Sequence, residues 1–164
     1  GENQPWLGEA FGYAVSYNYL NKNTVTCVAW GKNEYARRKV EEAEKPIELG
    51  LRAKFTSLAL DEGLPVTRLF SMKLFEMNGV DLAKAWSFLD FLAREKPRQG
   101  LEFLMTLVGH AKQGAKTSGL LEKTRQDANA IFHAEAGQDV YDILEHDWRR
   151  YAEALRAGGF GEDD

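Results

Sequence analysis

Cysteine is nearly absent from this 164-residue sequence. Cys27 stands alone, which excludes an intrachain disulfide and a thiolate zinc cage. Apolar runs of the 18 or so residues that cross a membrane are also missing. The longest apolar-rich stretch, Leu82–Ala93, is broken by Lys84, Ser87 and Asp90, so no membrane span is expected. The opening Gly1-Glu2-Asn3-Gln4-Pro5 has neither a charged n-region nor an apolar h-region, and no signal peptide is read there. No internal repeat or low-complexity tract is present. An excess of positive charge is lacking too, since 21 Lys+Arg against 25 Asp+Glu leave a net charge of −4. A phosphate-binding surface needs cations, so nucleic acid is not expected as a partner. The one basic cluster, Arg37-Arg38-Lys39, is offset at once by Glu41, Glu42 and Glu44 and reads as a solvated face.

What remains is ordinary globular composition, 44% hydrophobic and 28% charged, with length for one domain and one substantial core. Pro5 with Trp6, Leu7, Ala10, Phe11, Ala14 and Val15 predicts a helix ending near Asn21-Lys22-Asn23, proline holding the favoured first-turn position. Thr24–Trp30 is rich in β-branched residues and could form one short strand. Lys32–Lys45 is highly charged, and Ile47–Leu60 reads as a helix. Val66–Met77 is expected as the next helix, ending at Asn78-Gly79. Asp81 is expected to cap its successor, where Leu82 to Ala93 leave only a thin polar stripe. Such a helix belongs in the middle of a bundle. After Pro97, the residues Leu101, Leu104, Met105, Val108 and Ala111 mark an apolar face. Gly114–Gly119 reads as a loop, followed by helices over Leu120–Ala136 and Asp139–Ala157. The expected class is mainly α, a single-domain helical bundle over residues 1–157 with at most a short β element near Thr24–Trp30. Residues 158–164 read as a disordered tail.

No complete catalytic constellation is visible. The histidines His110, His133 and His146 lack an i, i+4 partner, and H-E-x-x-H does not occur. His133 with Glu135, and Glu145-His146-Asp147, fit no standard metal spacing and read as surface groups or helix caps. Ser71 and Ser118 sit in no G-x-S-x-G turn. Trp86, Trp148 and Tyr151 could line a small-molecule pocket, but they fall on core stripes, and ordinary packing is the simpler reading. One segment is more specific. Pro5-Trp6-Leu7-Gly8-Glu9-Ala10-Phe11-Gly12-Tyr13 sets a carboxylate among apolar and small residues, with Tyr13 and Ser16 sharing its strip. A first-turn acid favoured by the helix dipole is the simpler local account. The other is a semi-buried carboxylate that needs a cation or a partner.

Trp6-Leu7-Gly8-Glu9-Ala10-Phe11-Gly12-Tyr13 resembles the W-L-x-E-G-x-A-x-Y segment of gluzincin metallopeptidases of the peptidase MA-like group. Three later segments are similar to that family in the same order. They are Glu62-Gly63-Leu64-Pro65-Val66-Thr67-Arg68-Leu69-Phe70, Val80–Leu92 with Ala85-Trp86-Ser87-Phe88-Leu89, and Ile131-Phe132-His133-Ala134-Glu135-Ala136-Gly137 followed by Leu144–Tyr151. The small residues of the first motif are exchanged here, Ala10 and Gly12 standing where the family has glycine and alanine.

The resemblance implies a zinc ligand at Glu9, the other two protein ligands being the histidines of an upstream H-E-x-x-H helix that this sequence does not contain. Three protein ligands with one open position leave room for water on tetrahedral zinc. The expectation is therefore the C-terminal portion of a zinc-dependent peptidase domain, contributing Glu9 and the cleft wall. Its partners would be the upstream half of its own domain and, in the parent protein, a peptide or protein substrate. Alone it is expected to be inactive and to bind no zinc. The alternative is a non-catalytic helical module that binds another protein, with Trp6, Phe11, Tyr13, Tyr17 and Tyr19 as contact surface. Either reading allows an exposed apolar patch and self-association through it.

Overall fold

A computed structural model describes residues 5–20, 51–62, 64–73, 76–112 and 117–157. Among them are seven helices and no strand. They are α1 (Pro5–Leu20), α2 (Leu51–Asp61), α3 (Val66–Ser71), α4 (Gly79–Glu95), α5 (Pro97–Lys112), α6 (Thr117–Ile131) and α7 (Val140–Arg156). The mainly α expectation therefore holds for the described residues. The possible strand at Thr24–Trp30, the charged stretch Lys32–Lys45 and the tail 158–164 lie outside them.

The central helix is α4, which packs against α1, α2, α3, α5 and α7. Its sequence explains the position, because every residue from Asp81 to Leu89 is buried. Asn78 starts it. The Asn78 side chain accepts the backbone N–H groups of Val80 and Asp81, and the Asp81 carboxylate accepts the Asn78 N–H at 2.9 Å. The cap is thus one turn earlier than the sequence suggests. Asn78 does that work, and Asp81 closes the reciprocal half of a capping box. At the other end, Lys96 caps α4 and Pro97 opens α5, as a first-turn proline should.

The expected helix Val66–Met77 is shortened to α3, six residues long. Ser71 donates its hydroxyl to the Arg68 carbonyl, and Met72 turns to extended backbone. That turn carries both Met72 and Met77 into the core, which one continuous helical face could not do. Short as it is, α3 holds the centre of the aromatic core. Phe70 packs on Trp6 of α1 at 5.5 Å, Phe103 of α5 at 6.0 Å and Tyr141 of α7 at 5.4 Å between ring centroids. Burying one such ring contributes about 1.5–3 kcal/mol.

The face of α5 is a second correction. Phe103 and Leu107 are buried, whereas Leu101 is 61% and Met105 67% exposed, with Val108 exposed beside them. Of that stripe, Leu104 packs against the core, and the Ala111 side chain lies outside the described residues. The helix enters the bundle by the stripe centred on Phe103, and the Leu101–Met105–Val108 stripe faces outward. The helix expected over Leu120–Ala136 is displaced: α6 starts at Thr117, inside the expected Gly114–Gly119 loop, and stops at Ile131, where the chain turns. The last helix, α7, keeps close to its expected limits, with Asp139 as its N-cap, whose side chain accepts the Tyr141 N–H.

Candidate functional site

The N-terminal helix is pinned by one face only. Trp6, Leu7 and Ala10 are buried, and Tyr13 and Ala14 pack on the core beside them. About half a turn away the helix is open. Gly8 and Phe11 are exposed, Phe11 by 49%, and Val15 by 51%. A Cβ added at Gly8 would meet nothing within 4 Å. Gly8 thus leaves a shallow strip between larger apolar side chains, with the half-buried Gly12 one turn further along it. Glu9 lies at the margin of this strip, half-buried, and among the described residues no hydrogen bond or ion pair engages it. The side chains of Ser16, Tyr17 and Tyr19 lie outside the described residues. Of the aromatic residues expected to form a contact surface here, Trp6 is core and Phe11 is open.

The other residues considered from sequence are spread apart. His110 pairs with Asp127 at 2.8 Å between α5 and α6. His133 is exposed in the left-handed region, with φ 55°, in the turn that ends α6. It serves that turn, and Glu135 beside it is exposed. His146 is exposed at 71%, with Asp147 3.6 Å away. Among the described residues no three His, Cys, Asp or Glu side chains gather to hold a metal ion. Trp86, Trp148 and Tyr151 are buried, and the last two are fixed by hydrogen bonds, so packing accounts for them.

A polar centre that sequence reasoning missed lies between α4 and α7. The Lys84 ammonium is fully buried and donates to both carboxylate oxygens of Glu145, at 3.1 and 2.8 Å. It also sits 3.0 Å from the centroid of the Trp148 ring. Glu145 in turn accepts the backbone N–H of Val66, the first residue of α3, at 2.8 Å, and pairs with Arg149 at 2.9 Å. The same helices meet twice more. Trp148 donates its indole N–H to Ser87 at 3.2 Å, and Tyr151 donates its hydroxyl to Asp90. All three contacts join residues 61 apart, so each step of three along α4 is matched by a step of three along α7. The thin polar stripe of α4 was legible. That Glu145, Trp148 and Tyr151 would answer it was not, although their spacing of three offers the signal.

Burial dominates the electrostatics of this centre. It pulls the Lys84 pKa down to about 7; the Glu145 hydrogen bonds and charge oppose that fall, and the Arg149 charge adds to it. One turn earlier, burial also raises the Asp81 carboxyl above its usual range, opposed by the Asn78 N–H and by Arg68. Compared with known proteins, the chain matches no family model, no curated protein and no solved structure.

Proposed function

We propose that the chain is the C-terminal helical portion of a zinc-dependent peptidase domain of the gluzincin, peptidase MA-like kind, in which Glu9 is one metal ligand. The observation that carries this reading is the open face of α1. A carboxylate that no described residue engages stands beside a strip where the open space at Gly8 lets another backbone approach, while Trp6 anchors the opposite face. Fixing one side of a helix in a rigid core is a good way to aim a ligand from the other side. Zinc, when bound, would polarise a scissile carbonyl and lower the pKa of its water. The role of this chain is narrower: to supply one carboxylate and to hold the wall of the cleft. The two remaining ligands would come from outside the described residues, on an H-E-x-x-H helix laid against the open face of α1.

The test is zinc content in the longer protein that contains this chain. About one zinc per molecule is expected. Glu9→Ala should weaken binding sharply, while Glu135→Ala, at an exposed acid in the turn after α6, should leave it unchanged. Unchanged zinc affinity in Glu9→Ala removes the assignment. A second reading, a non-catalytic module that binds a protein through α1, is favoured by the exposure of Phe11 and Val15. A longer protein without bound zinc, whose partner dissociates on Phe11→Glu, would select it.

A further inference from the structure

Glu145 is shared by two cations that differ in their need of it. Arg149, beside it on α7, is 41% exposed and keeps its charge in water. Lys84 has no exposure and, among the described residues, no other anion on its ammonium. The carboxylate is therefore neutralised whether or not Lys84 is protonated, and a proton on Lys84 gives the three side chains together a net positive charge in a buried place. The third donor, the Val66 N–H, has no charge to lose and begins a different helix. The remaining charged groups nearby are otherwise engaged or distant in effect. Asp81 on α4 accepts the Asn78 N–H, with Arg68 of α3 acting on it, and Asp90 pairs with Arg94 and Tyr151. Asp61 of α2 pairs with Arg156, and Asp147 of α7 with Lys96. Glu9 lies on the margin of the open face of α1. Of all these, only Glu145 and Arg149 bear on the charge of Lys84.

We propose that Lys84, Glu145 and Arg149 form a proton-responsive junction between α4 and the α3–α7 pair. Protonated Lys84 draws Glu145 toward α4. Loss of that proton leaves Glu145 to Val66 and Arg149, and removes the cation from the face of Trp148. The neutral amine is a weaker donor, and the attraction that spans the two helices goes with the charge. The junction changes partners without exposing the core, because Ser87–Trp148 and Asp90–Tyr151 continue to join the same helices.

The experiment is an NMR titration of the whole chain from about pH 5.5 to 9.5, following the Lys84 side-chain carbons, the Val66 amide and the Trp148 indole N–H. All three should move together with one midpoint near 7. Arg149→Gln removes the competing cation at a half-exposed position, so it should keep the fold and raise that midpoint. Lys84→Met should abolish the transition at Val66 and Trp148. A plain structural ion pair behaves differently: Lys84 would stay charged above about pH 9, with Val66 and Trp148 still. That outcome, or a midpoint unmoved by Arg149→Gln, overturns the proposal.

Discussion

Gly100 packs its α-carbon onto the carbonyl group of Leu92, so that an added Cβ would lie 2.8 Å from the oxygen and 3.0 Å from the Leu92 Cβ. This contact is where α5 folds back beside the last turn of α4, and the Gly100 N–H is bonded to the Lys96 carbonyl at 2.6 Å. The obstacle is largely backbone and cannot rotate away. Gly100→Ala should therefore cost about 1–3 kcal/mol, despite the better helix propensity of alanine. Thermal unfolding followed by circular dichroism should show a fall of roughly 2–4 °C per kcal/mol for a chain of this size. A stabilised Gly100→Ala would mean that α4 and α5 sit further apart.

Stability should rise with pH above neutrality. The Lys84 pKa is about 7 in the folded protein against 10.5 in an ordinary lysine. Between those values the unfolded chain binds more protons than the folded one, so unfolding becomes harder as pH increases. The gain accrues from about 7 and is complete near 10.5, amounting to a few kcal/mol. Beyond about pH 10 the buried Tyr141 hydroxyl, its pKa raised by desolvation, begins to reverse the trend. Urea unfolding at pH 6.5, 8 and 9.5 should show the rise in the native chain and a flat profile in Lys84→Met. That variant should be nearly neutral at pH 6.5, because Glu145 keeps Val66 and Arg149. Glu145→Gln removes the group that holds the Lys84 pKa up, so in that variant the rise should begin at a lower pH.

The two faces of α5 should respond oppositely to substitution. Phe103→Ala and Leu107→Ala each empty a fully buried position and should cost about 3–5 and 2–5 kcal/mol respectively. Leu101→Glu and Met105→Glu, at positions 61% and 67% exposed, should stay within about 0.5 kcal/mol of the native chain. Chemical denaturation of the four variants decides the matter. Large losses at Leu101 and Met105 would restore the face that the apolar spacing suggested.

Helix α5 also shows why sequence reading stopped where it did. Apolar residues at 101, 104, 105 and 108 and at 103 and 107 form two overlapping helical stripes, and periodicity alone does not say which one meets the bundle. The winner was set by a tertiary partner, Phe70, which offers its ring edge to Phe103. In α4 there was no such ambiguity, because apolar side chains nearly encircle it, and its central place was legible. Its start was not, since Asn78 and Asp81 are both good N-terminal residues and only the reciprocal bonds separate their roles. The Lys84 centre was hidden for a different reason. A lone lysine in an apolar helix reads as a gap in the pattern until Glu145, 61 residues later, is folded against it. Glu9, by contrast, stood out in the sequence, and its helix leaves it beside an open strip.

Thr124 and Tyr141 provide a separate check on how α6 meets α7. Their hydroxyl oxygens are 2.8 Å apart, and both residues are buried. Tyr141→Phe removes one of the two oxygens and deprives the Thr124 hydroxyl of that partner, at a cost of about 1–3 kcal/mol. Thr124→Val removes the other and should cost a similar amount. The double variant replaces both polar groups with apolar ones of like shape, so its loss should fall well below the sum of the two. A double-mutant cycle by urea unfolding should therefore give a coupling energy of about 0.5–3 kcal/mol, the mark of groups in direct contact. Strict additivity would mean that each hydroxyl finds another partner, and that the Tyr141 ring is held in this core by contacts such as those with Phe70 and Arg125 and not by Thr124.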